Sequence, residues 1–363
     1  MMLRMMHAAD LHLDSPFAAL APEQAAQRRA EQRDMLRRLA AECERRNCQI
    51  LLLAGDLFDS DRVYRETADL LRQTLQDLNA RVFIAPGNHD PYTPRSPYAT
   101  LSWPDNVHIF RSRSVQAVRL ENPALTVYGA AFTESRESGL FGGFAAEAGQ
   151  EPKIMVMHGT LGAAPSVYNP ISEAAVSASG LDYLALGHVH RREIRRIGRT
   201  TVGNPGFAMG RGFDETGPGG ALYLELEGGD CRVEAVDLGC RIYQSLTVRV
   251  AEDPLAAAEA MLPEDTERDI YRIILTGSCQ PPDLDALKAA LAPRFYALEL
   301  VDQTLPPLSL WKNLSEDSLK GEFLRKIKDC YDAEDTNEEA RRLLARAAEI
   351  GLALMEGREV PCL

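Results

Sequence analysis

The stretch ILLLAGDLFD at residues 50–59 decides the fold of the first part of this chain. Its first half is a short, continuous apolar run, which is typical of a strand buried on both faces of a sheet. Gly55 ends the run and Asp56 follows directly. Because glycine lets a chain leave a strand sharply, the pattern predicts a buried strand with a carboxylate at its carboxyl end.

Four further segments repeat this arrangement. Each is an apolar run that stops at polar residues, and they are LRMMHAA before Asp10, RVFIAP (81–86) before GNHD, KIMVMH (153–158) and DYLALGH (182–188). Helices are predicted over 22–47, which opens with a proline, and around 62–79. Strands that alternate with helices and end in polar residues indicate a layered α/β fold with its site at the carboxyl ends of the strands.

The length of 363 residues is too great for one ordinary core. We expect a first domain over 1–240, in which the strand-rich part after residue 190 completes a second sheet. A small α/β unit is expected over 241–305. Prolines at 306 and 307 mark a break before a helical segment, 306–363, with two charged amphipathic helices whose apolar stripes need a cover.

Residue types that bind metals are concentrated at the predicted strand ends. Five of the seven histidines lie there: His12, His89, His158, His188 and His190. Imidazole together with carboxylate suits Mn, Fe or Zn, and a carboxylate such as Asp56 can bridge two cations. Two cations about 3.5–4 Å apart can hold a hydroxide and the oxygens of a phosphate. The residues therefore predict a two-metal site for an anionic phosphate.

The order DLH, GDLFD, GNHD, a single His158 and GHVH resembles the calcineurin-like metallophosphoesterase superfamily. Within it, HAADLHLDSPF (7–17) and LDYLALGHVH (181–190) resemble the SbcD and YhaO-type DNA-repair exonuclease subunits. The resemblance covers about 1–220. It implies a four-layer sandwich of two mixed sheets flanked by helices, with a small α/β capping domain and C-terminal helices.

The resemblance also implies a role for each motif residue. One metal would be held by Asp10, His12, Asp56 and His190, and the second by Asp56, Asn88, His158 and His188. Both would be divalent, with Mn²⁺ expected ahead of Fe or Zn. His89 would be the unliganded imidazole that protonates the leaving oxygen. Asp90 would support catalysis by orienting His89.

Two related subclasses are disfavoured by the residues after Asp56. Purple acid phosphatases carry a metal-binding tyrosine where this chain has Asp59, and protein Ser/Thr phosphatases carry an arginine followed by a glycine where it has Ser60 and Asp61. The later motif is also GNHD rather than GNHE.

Substrate contacts are predicted less directly. The basic stretch 191–199 follows GHVH, so Arg191 and Arg192 are candidates for binding phosphate or DNA, with a solvated surface as the alternative. Arg211, in the loop 203–220, is a third candidate, and an ordinary surface arginine is the alternative there. Tyr92, Tyr98 and Trp103 follow GNHD, where they either stack on bases or pack in the fold.

The net charge of −13 counts against a protein that coats nucleic acid unaided. The seven scattered cysteines indicate reduced thiols in a cytoplasmic protein, and we expect neither a signal peptide nor a membrane span. By resemblance, the expected partners are DNA as substrate and an SMC-like coiled-coil ATPase that binds the C-terminal helices; a homodimer is also compatible.

Three functions remain open on the sequence. The first is a Mn-dependent DNA exonuclease or endonuclease, in which a hydroxide between the metals attacks the phosphodiester in line. The second is a phosphodiesterase or phosphatase for a small nucleotide or phosphoester, which the acidic charge favours. The third is a non-catalytic interaction subunit with structural metals, which the complete ligand set and His89 argue against.

Overall fold

The computed structural model describes residues 2–60, 62–162, 166–305 and 308–357. The described residues do not include Asp61, the predicted break at Pro306 and Pro307, or the last cysteine, Cys362. The chain divides into two compact units, Met1–Ile242 and Tyr243–Leu363. Among the described residues, no helix has both the length and the apolarity that a bilayer span requires.

The strands of the first unit are, in chain order, β1 (Leu3–Ala8), β2 (Ile50–Leu53), β3 (Arg81–Ile84), β4 (Val107–Ile109), β5 (Gln116–Glu121), β6 (Ala124–Gly129), β7 (Lys153–His158), β8 (Thr160–Leu161), β9 (Pro170–Ile171), β10 (Tyr183–Gly187), β11 (Glu193–Ile197), β12 (Thr200–Asn204), β13 (Ala221–Glu227) and β14 (Asp230–Val236). Its helices are α1 (Pro22–Arg45), α2 (Arg65–Gln76), α3 (Pro97–Thr100) and α4 (Glu173–Ala178).

Two six-stranded mixed sheets form the first unit, with strand orders β14-β13-β1-β2-β3-β4 and β11-β12-β10-β7-β6-β5. The alternation of side chains along β2 explains the layers. Ile50 and Leu52 pack in a core shared with the second sheet, whereas Leu51 and Leu53 face the core that contains α1 and α2. A third core covers the outer face of the second sheet and includes Val176 of α4. The predicted arrangement of two sheets flanked by helices is confirmed.

The strand-rich part after residue 190 is distributed over both sheets rather than completing only the second. β11 and β12 extend the second sheet beside β10. β13 crosses back and pairs antiparallel with β1, and β14 forms the outer edge of the first sheet. The chain thereby crosses from one sheet to the other twice. The loop between β12 and β13 passes over the end of β1, where the backbone N–H of Ala208 donates to the carbonyl oxygen of Asp10.

The second unit contains a parallel three-stranded sheet of β15 (Tyr243–Val250), β16 (Ile270–Gly277) and β17 (Ala297–Asp302). Its helices are α5 (Pro254–Glu259), α6 (Leu284–Leu291), α7 (Leu319–Asp332) and α8 (Glu338–Met355), with 3-10 turns at Ala292–Arg294 and Leu308–Trp311. The strands and helices of a small α/β unit and the two expected C-terminal helices are therefore present. The predicted domain boundary near 305 stays a prediction.

Candidate metal centre

The residues of the candidate site follow neighbouring strands of the two sheets. β1, β2 and β3 run parallel and adjacent, so the residues after them, among them Asp10, Asp56 and Asn88, emerge at one edge. β7 and β10 are parallel neighbours in the second sheet, and His158 and His188 stand at their ends. This arrangement explains why motifs far apart in sequence meet at one place.

The backbone at the site adopts conformations that non-glycine residues rarely take. Positive φ angles occur at Asp10 (51°), His12 (43°), Asp56 (50°) and His188 (92°). Strain of this kind is typical of functional sites, where the surrounding structure maintains it. Gly187 allows the close approach of two strand ends, because a Cβ there would lie 2.1 Å from the carbonyl oxygen of Ala54.

The first cluster consists of Asp10, His12 and His190. The Nε2 atoms of the two histidines are 3.3 Å apart. Asp10 Oδ1 lies 3.4 Å from His190 Nε2 and 4.0 Å from His12 Nε2. Three potential ligand atoms thus converge on one point.

The second cluster contains Asn88, His158 and His188. Asn88 Oδ1 lies 2.9 Å from His158 Nε2 and 3.0 Å from His188 Nδ1. Asp56 Oδ2 lies 3.4 Å from His158 Nε2 and also 3.8 Å from His12 Nε2 in the first cluster. One carboxylate oxygen therefore faces both clusters, as the bridging role requires.

Three of the site imidazoles have a hydrogen-bond partner at Nδ1, the ring nitrogen that faces away from the site. Nδ1 of His12 donates to Asp59 Oδ1 at 3.0 Å, and Nδ1 of His190 donates to Glu215 Oε1 at 2.7 Å. Nδ1 of His158 donates to the carbonyl oxygen of Ala54 at 2.9 Å. Each Nε2 therefore faces the site, and in the neutral imidazole it carries the lone pair that binds a metal. The donor set fits two divalent cations of the Mn, Fe or Zn type.

The electrostatics of the clusters favour positive charge. Burial alone would lower the pKa of His190, but hydrogen bonds and charge from Asp10 and Glu215 outweigh it and raise that pKa to about 10. In the same way, Asp56 overcomes the burial of His158 and raises its pKa to about 9. A divalent cation would take the place of these protons, because ligand imidazoles must be neutral.

His89 is placed differently from the other histidines. Its side chain is exposed, and its ring centroid is 4.8 Å from that of His12. Its backbone N–H donates to Asp56 Oδ1 at 2.9 Å, and its Nδ1 lies 3.4 Å from the carbonyl oxygen of Asp59. Its ring also lies within ligand distance of His12 and Asp56, so it stands at the mouth of the site with Nε2 available.

Asp90 does not orient the His89 ring in this structure. Its carboxylate is buried and accepts hydrogen bonds from the backbone N–H groups of Gly87 (2.8 Å) and Phe58 (2.9 Å). Tyr98 donates its hydroxyl to the same carboxylate. Asp90 therefore joins the GNHD turn to the GDLFD turn, and Tyr98 is a buried packing residue rather than a surface for stacking bases.

The three candidate arginines lie in different settings. Arg191 is exposed directly after His190. Arg192 is half-buried and donates to the carbonyl oxygens of Pro205 (3.4 Å) and Gly219 (3.2 Å). Arg211 is bonded to Asp59 and Glu215, so its guanidinium is engaged within the protein.

Sequence reasoning missed Glu215 and the role of Asp59. Both support histidines of the first cluster, and Glu215 is 2% exposed. Asp59 ends GDLFD at the position where purple acid phosphatases carry a metal-binding tyrosine, and that correspondence was a usable signal. Glu215 carried none, because its approach to His190 depends on the path of the loop between β12 and β13.

The part of the chain that carries these clusters is similar to known proteins. The family Calcineurin-like phosphoesterase matches residues 3–192. A Bacillus subtilis protein described as "Uncharacterized metallophosphoesterase YhaO" is 30% identical over 328 residues, covering 82% of this chain and 77% of the relative.

Among solved structures, the TT1561 protein of Thermus thermophilus is 10% identical with a TM-score of 0.41, covering 66% of this chain and 100% of that one. A dimetal phosphatase from Danio rerio is 12% identical with a TM-score of 0.38, covering 62% of this chain and 92% of that one. The family match spans more than half of the chain and all the motif residues up to His190. This chain belongs to the calcineurin-like phosphoesterase family.

Proposed function

We propose that this metallophosphoesterase is a Mn-dependent nuclease that cleaves phosphodiester bonds of DNA in repair. The observation that carries the two-metal chemistry is Asp56 Oδ2, which lies 3.4 Å from His158 Nε2 and 3.8 Å from His12 Nε2. The choice of DNA is supported by the HAADLHLDSPF and LDYLALGHVH segments and by the exposed Arg191 beside the site.

Two cations would be held by the clusters described above, with Asp56 shared. When bound, they supply positive charge that activates water and stabilises the negative charge of a phosphate in the transition state. Asp59, Glu215 and the carbonyl oxygen of Ala54 each accept a hydrogen bond from Nδ1 of a ligand imidazole, which directs Nε2 of that ring toward the cation. It also excludes solvent from the ligands, because Asp10, His12 and His158 are buried.

His89 is the proposed acid for the leaving group. Its Nδ1 approaches the carbonyl oxygen of Asp59, so Nε2 is the nitrogen that would give a proton to the departing sugar oxygen. The hydrogen bond from its backbone N–H to Asp56 Oδ1 holds it beside the bridging carboxylate. Arg191 would contact a neighbouring phosphate of the strand as a solvent-exposed cation.

The C-terminal helices are the proposed docking element for an SMC-like coiled-coil ATPase. Leu319 at the start of α7 is 79% exposed, and Leu343 and Leu354 of α8 are 67% and 65% exposed. Apolar side chains this exposed favour a protein partner. Co-purification of the full chain with such an ATPase, lost on changing Leu343 and Leu354 to glutamine, tests the pairing.

Substrate choice is tested with purified protein and Mn²⁺ on a labelled single-stranded oligonucleotide, a nicked duplex and bis-p-nitrophenyl phosphate. Cleavage of DNA supports the proposal, and Arg191→Gln should then weaken DNA binding in a salt-dependent way without changing hydrolysis of the small ester. Hydrolysis of the small ester without cleavage of either DNA substrate favours an enzyme that acts on small phosphoesters. Two arginines of the basic stretch support that alternative. Arg195 and Arg199 pair with acidic residues of the protein, so their charges are already balanced without DNA.

A further inference from the structure

Arg211 joins two carboxylates that come from distant parts of the chain. It lies in the loop between β12 and β13, and its Nη2 donates to Glu215 Oε1 at 2.6 Å. Its Nη1 donates to Asp59 Oδ1 at 2.9 Å, across a sequence separation of 152 residues. Its backbone N–H also donates to Glu215 Oε2 at 2.8 Å. The guanidinium thus spans the gap between the GDLFD turn and this loop.

The oxygens that Arg211 contacts are the same ones that support two metal-binding histidines. Asp59 Oδ1 accepts from His12 Nδ1 at 3.0 Å, and Glu215 Oε1 accepts from His190 Nδ1 at 2.7 Å. Both histidines belong to the first cluster. The second cluster is arranged otherwise, since His158 Nδ1 donates to a backbone carbonyl. Arg211 therefore acts on one of the two clusters through its supporting carboxylates.

The charge balance explains why a cation is needed at this place. Asp59 and Glu215 add two carboxylates beside Asp10 and Asp56, and Glu215 is 2% exposed. Carboxylates grouped in a poorly solvated region repel one another and turn away or take up protons. A planar guanidinium can hold both at once with separate N–H groups, whereas the single ammonium group of lysine cannot reproduce that fork.

The backbone around Arg211 is fixed from the opposite side by α1. Arg28, which is fully buried, donates to the carbonyl oxygen of Gly210 at 2.8 Å. Gln32, one turn further along the helix, donates to the carbonyl oxygen of His12 at 2.7 Å. The loop that bears Arg211 and the turn that bears His12 are consequently held on one helix, which keeps the guanidinium in register with both carboxylates.

We infer that Arg211 is a positioning residue for the first metal, acting through Asp59 and Glu215 on the orientation and tautomer of His12 and His190. This inference rests on the proposed two-metal chemistry and replaces the expectation that Arg211 binds substrate. Loss of Arg211 should weaken the first metal and leave the second. It should also leave KM unchanged once the metal is saturating.

The test is a calorimetric titration of the full chain with Mn²⁺, together with the absorption spectrum of the Co²⁺ form. Wild type, Arg211→Met, Arg211→Lys and Glu215→Gln are compared. Arg119→Met is the control, because Arg119 lies on β5 at the edge of the second sheet and pairs there with Glu147. We expect both Arg211 variants and Glu215→Gln to lose about 10- to 100-fold affinity for one ion, which is the usual effect of removing a group that supports a metal ligand. Affinity for the other ion should stay within about twofold of wild type.

A kinetic readout separates positioning from substrate binding. For Arg211→Met, raising the Mn²⁺ concentration should restore kcat/KM toward the wild-type value. A raised KM that persists at saturating Mn²⁺ would show direct substrate contact and overturn the inference. Equal weakening of both ions would also overturn it, because that outcome indicates general loss of structure.

The inference and the proposed function fail in different ways. Two tightly bound ions in wild type, with no change in Arg211→Met, refute the inference and leave the function standing. Fewer than two ions in wild type refute the metal chemistry itself. Should Arg211→Met not fold, Arg211→Lys decides, since it keeps the positive charge but cannot hold Asp59 and Glu215 with separate N–H groups.

Discussion

At the scale of single residues, His89 is the side chain whose role differs most from that of its neighbours. It is exposed and lies at the mouth of the site, whereas His12 and His158 are fully buried. Replacement by glutamine removes proton transfer without removing a buried ligand. We expect kcat to fall about 10²- to 10⁴-fold, the usual contribution of general acid catalysis. Steady-state kinetics on DNA or bis-p-nitrophenyl phosphate measure this loss.

The control for His89→Gln is the metal content of the same preparation. It should equal that of wild type, and a substrate with a better leaving group, which needs less protonation, should be affected less. Loss of bound metal in His89→Gln would instead make His89 a ligand, a role that its distance from His12 and Asp56 would permit.

The types of most site residues could be predicted because each follows an apolar strand within a short motif. Asp10, Asp56 and His158 needed only the positions of β1, β2 and β7 to be placed at the carboxyl ends of these strands. Glu215 and the setting of Arg211 could not be predicted, since they depend on a long loop that returns across the site. Asp90 was misjudged because adjacency in sequence to His89 suggested a contact that the turn geometry does not make.

At the scale of elements, the turn after β2 depends on Gly55. Its φ is +86°, and a Cβ there would lie 2.3 Å from His158 Nδ1. Gly55→Ala should therefore add a steric conflict with a metal-binding histidine to the cost of a left-handed alanine, which is roughly 1–2 kcal/mol. We expect a larger loss of unfolding free energy than that, together with weaker binding of the second metal. Urea unfolding and Mn²⁺ titration measure the two effects.

Gly139→Ala is the matched control for this prediction. Gly139 has a similar φ of +77°, but a Cβ there meets no atom within 4 Å. Gly139→Ala should lose only the unfolding free energy that a left-handed alanine costs, and it should bind both metals as wild type does. Equal destabilisation in the two variants, with unchanged metal affinity in Gly55→Ala, would show that the contact with His158 is relieved without consequence.

The elements were predictable where hydrophobicity was continuous and less so elsewhere. β2, β7 and β10 are buried along their whole length, and their apolar runs predict them directly. The edge strand β5, QAVRLE, is mostly exposed and was not predicted. The return of β13 to the first sheet was also not predicted, because its alternating pattern fits the edge of either sheet.

At the scale of the whole molecule, the two sheets are linked by a buried polar contact between His7 on β1 and Tyr183 on β10. His7 Nδ1 lies 2.9 Å from the Tyr183 hydroxyl, and burial lowers the pKa of His7 to about 3 from its ordinary 6.5. Below pH 6.5 the unfolded chain binds a proton here that the folded chain does not. The stabilising contribution is thus complete above pH 6.5 and is lost as the pH falls toward 3.

We expect His7 to make the unfolding free energy fall by up to about 1.4 kcal/mol per pH unit below pH 6.5. His7→Gln removes this titration, so the difference between wild type and variant should be constant above pH 6.5 and shrink between pH 6 and 4.5. Urea unfolding with a chelator present measures it, since the carboxylates of the site then contribute equally to both proteins. A difference that does not change with pH would mean that His7 takes up its proton in the folded state.

The amino-acid composition of the whole chain limits the possible substrates only broadly. The charge of −13 argues against unaided binding along nucleic acid, yet Arg191 next to the site provides a local cation. The family and the layered fold followed from the motifs, whereas the substrate depends on surface features that these motifs do not encode.

The most direct measurement is the number of Mn²⁺ ions bound per chain in wild type and in Asp56→Asn, by equilibrium dialysis and elemental analysis. Asp56 Oδ2 faces both clusters, so its neutralisation removes the negative charge between the two cations. We expect two ions in wild type, two in the exposed control Asp230→Asn, and at most one in Asp56→Asn. Fewer than two ions in wild type, or two retained at wild-type affinity in Asp56→Asn, would contradict it.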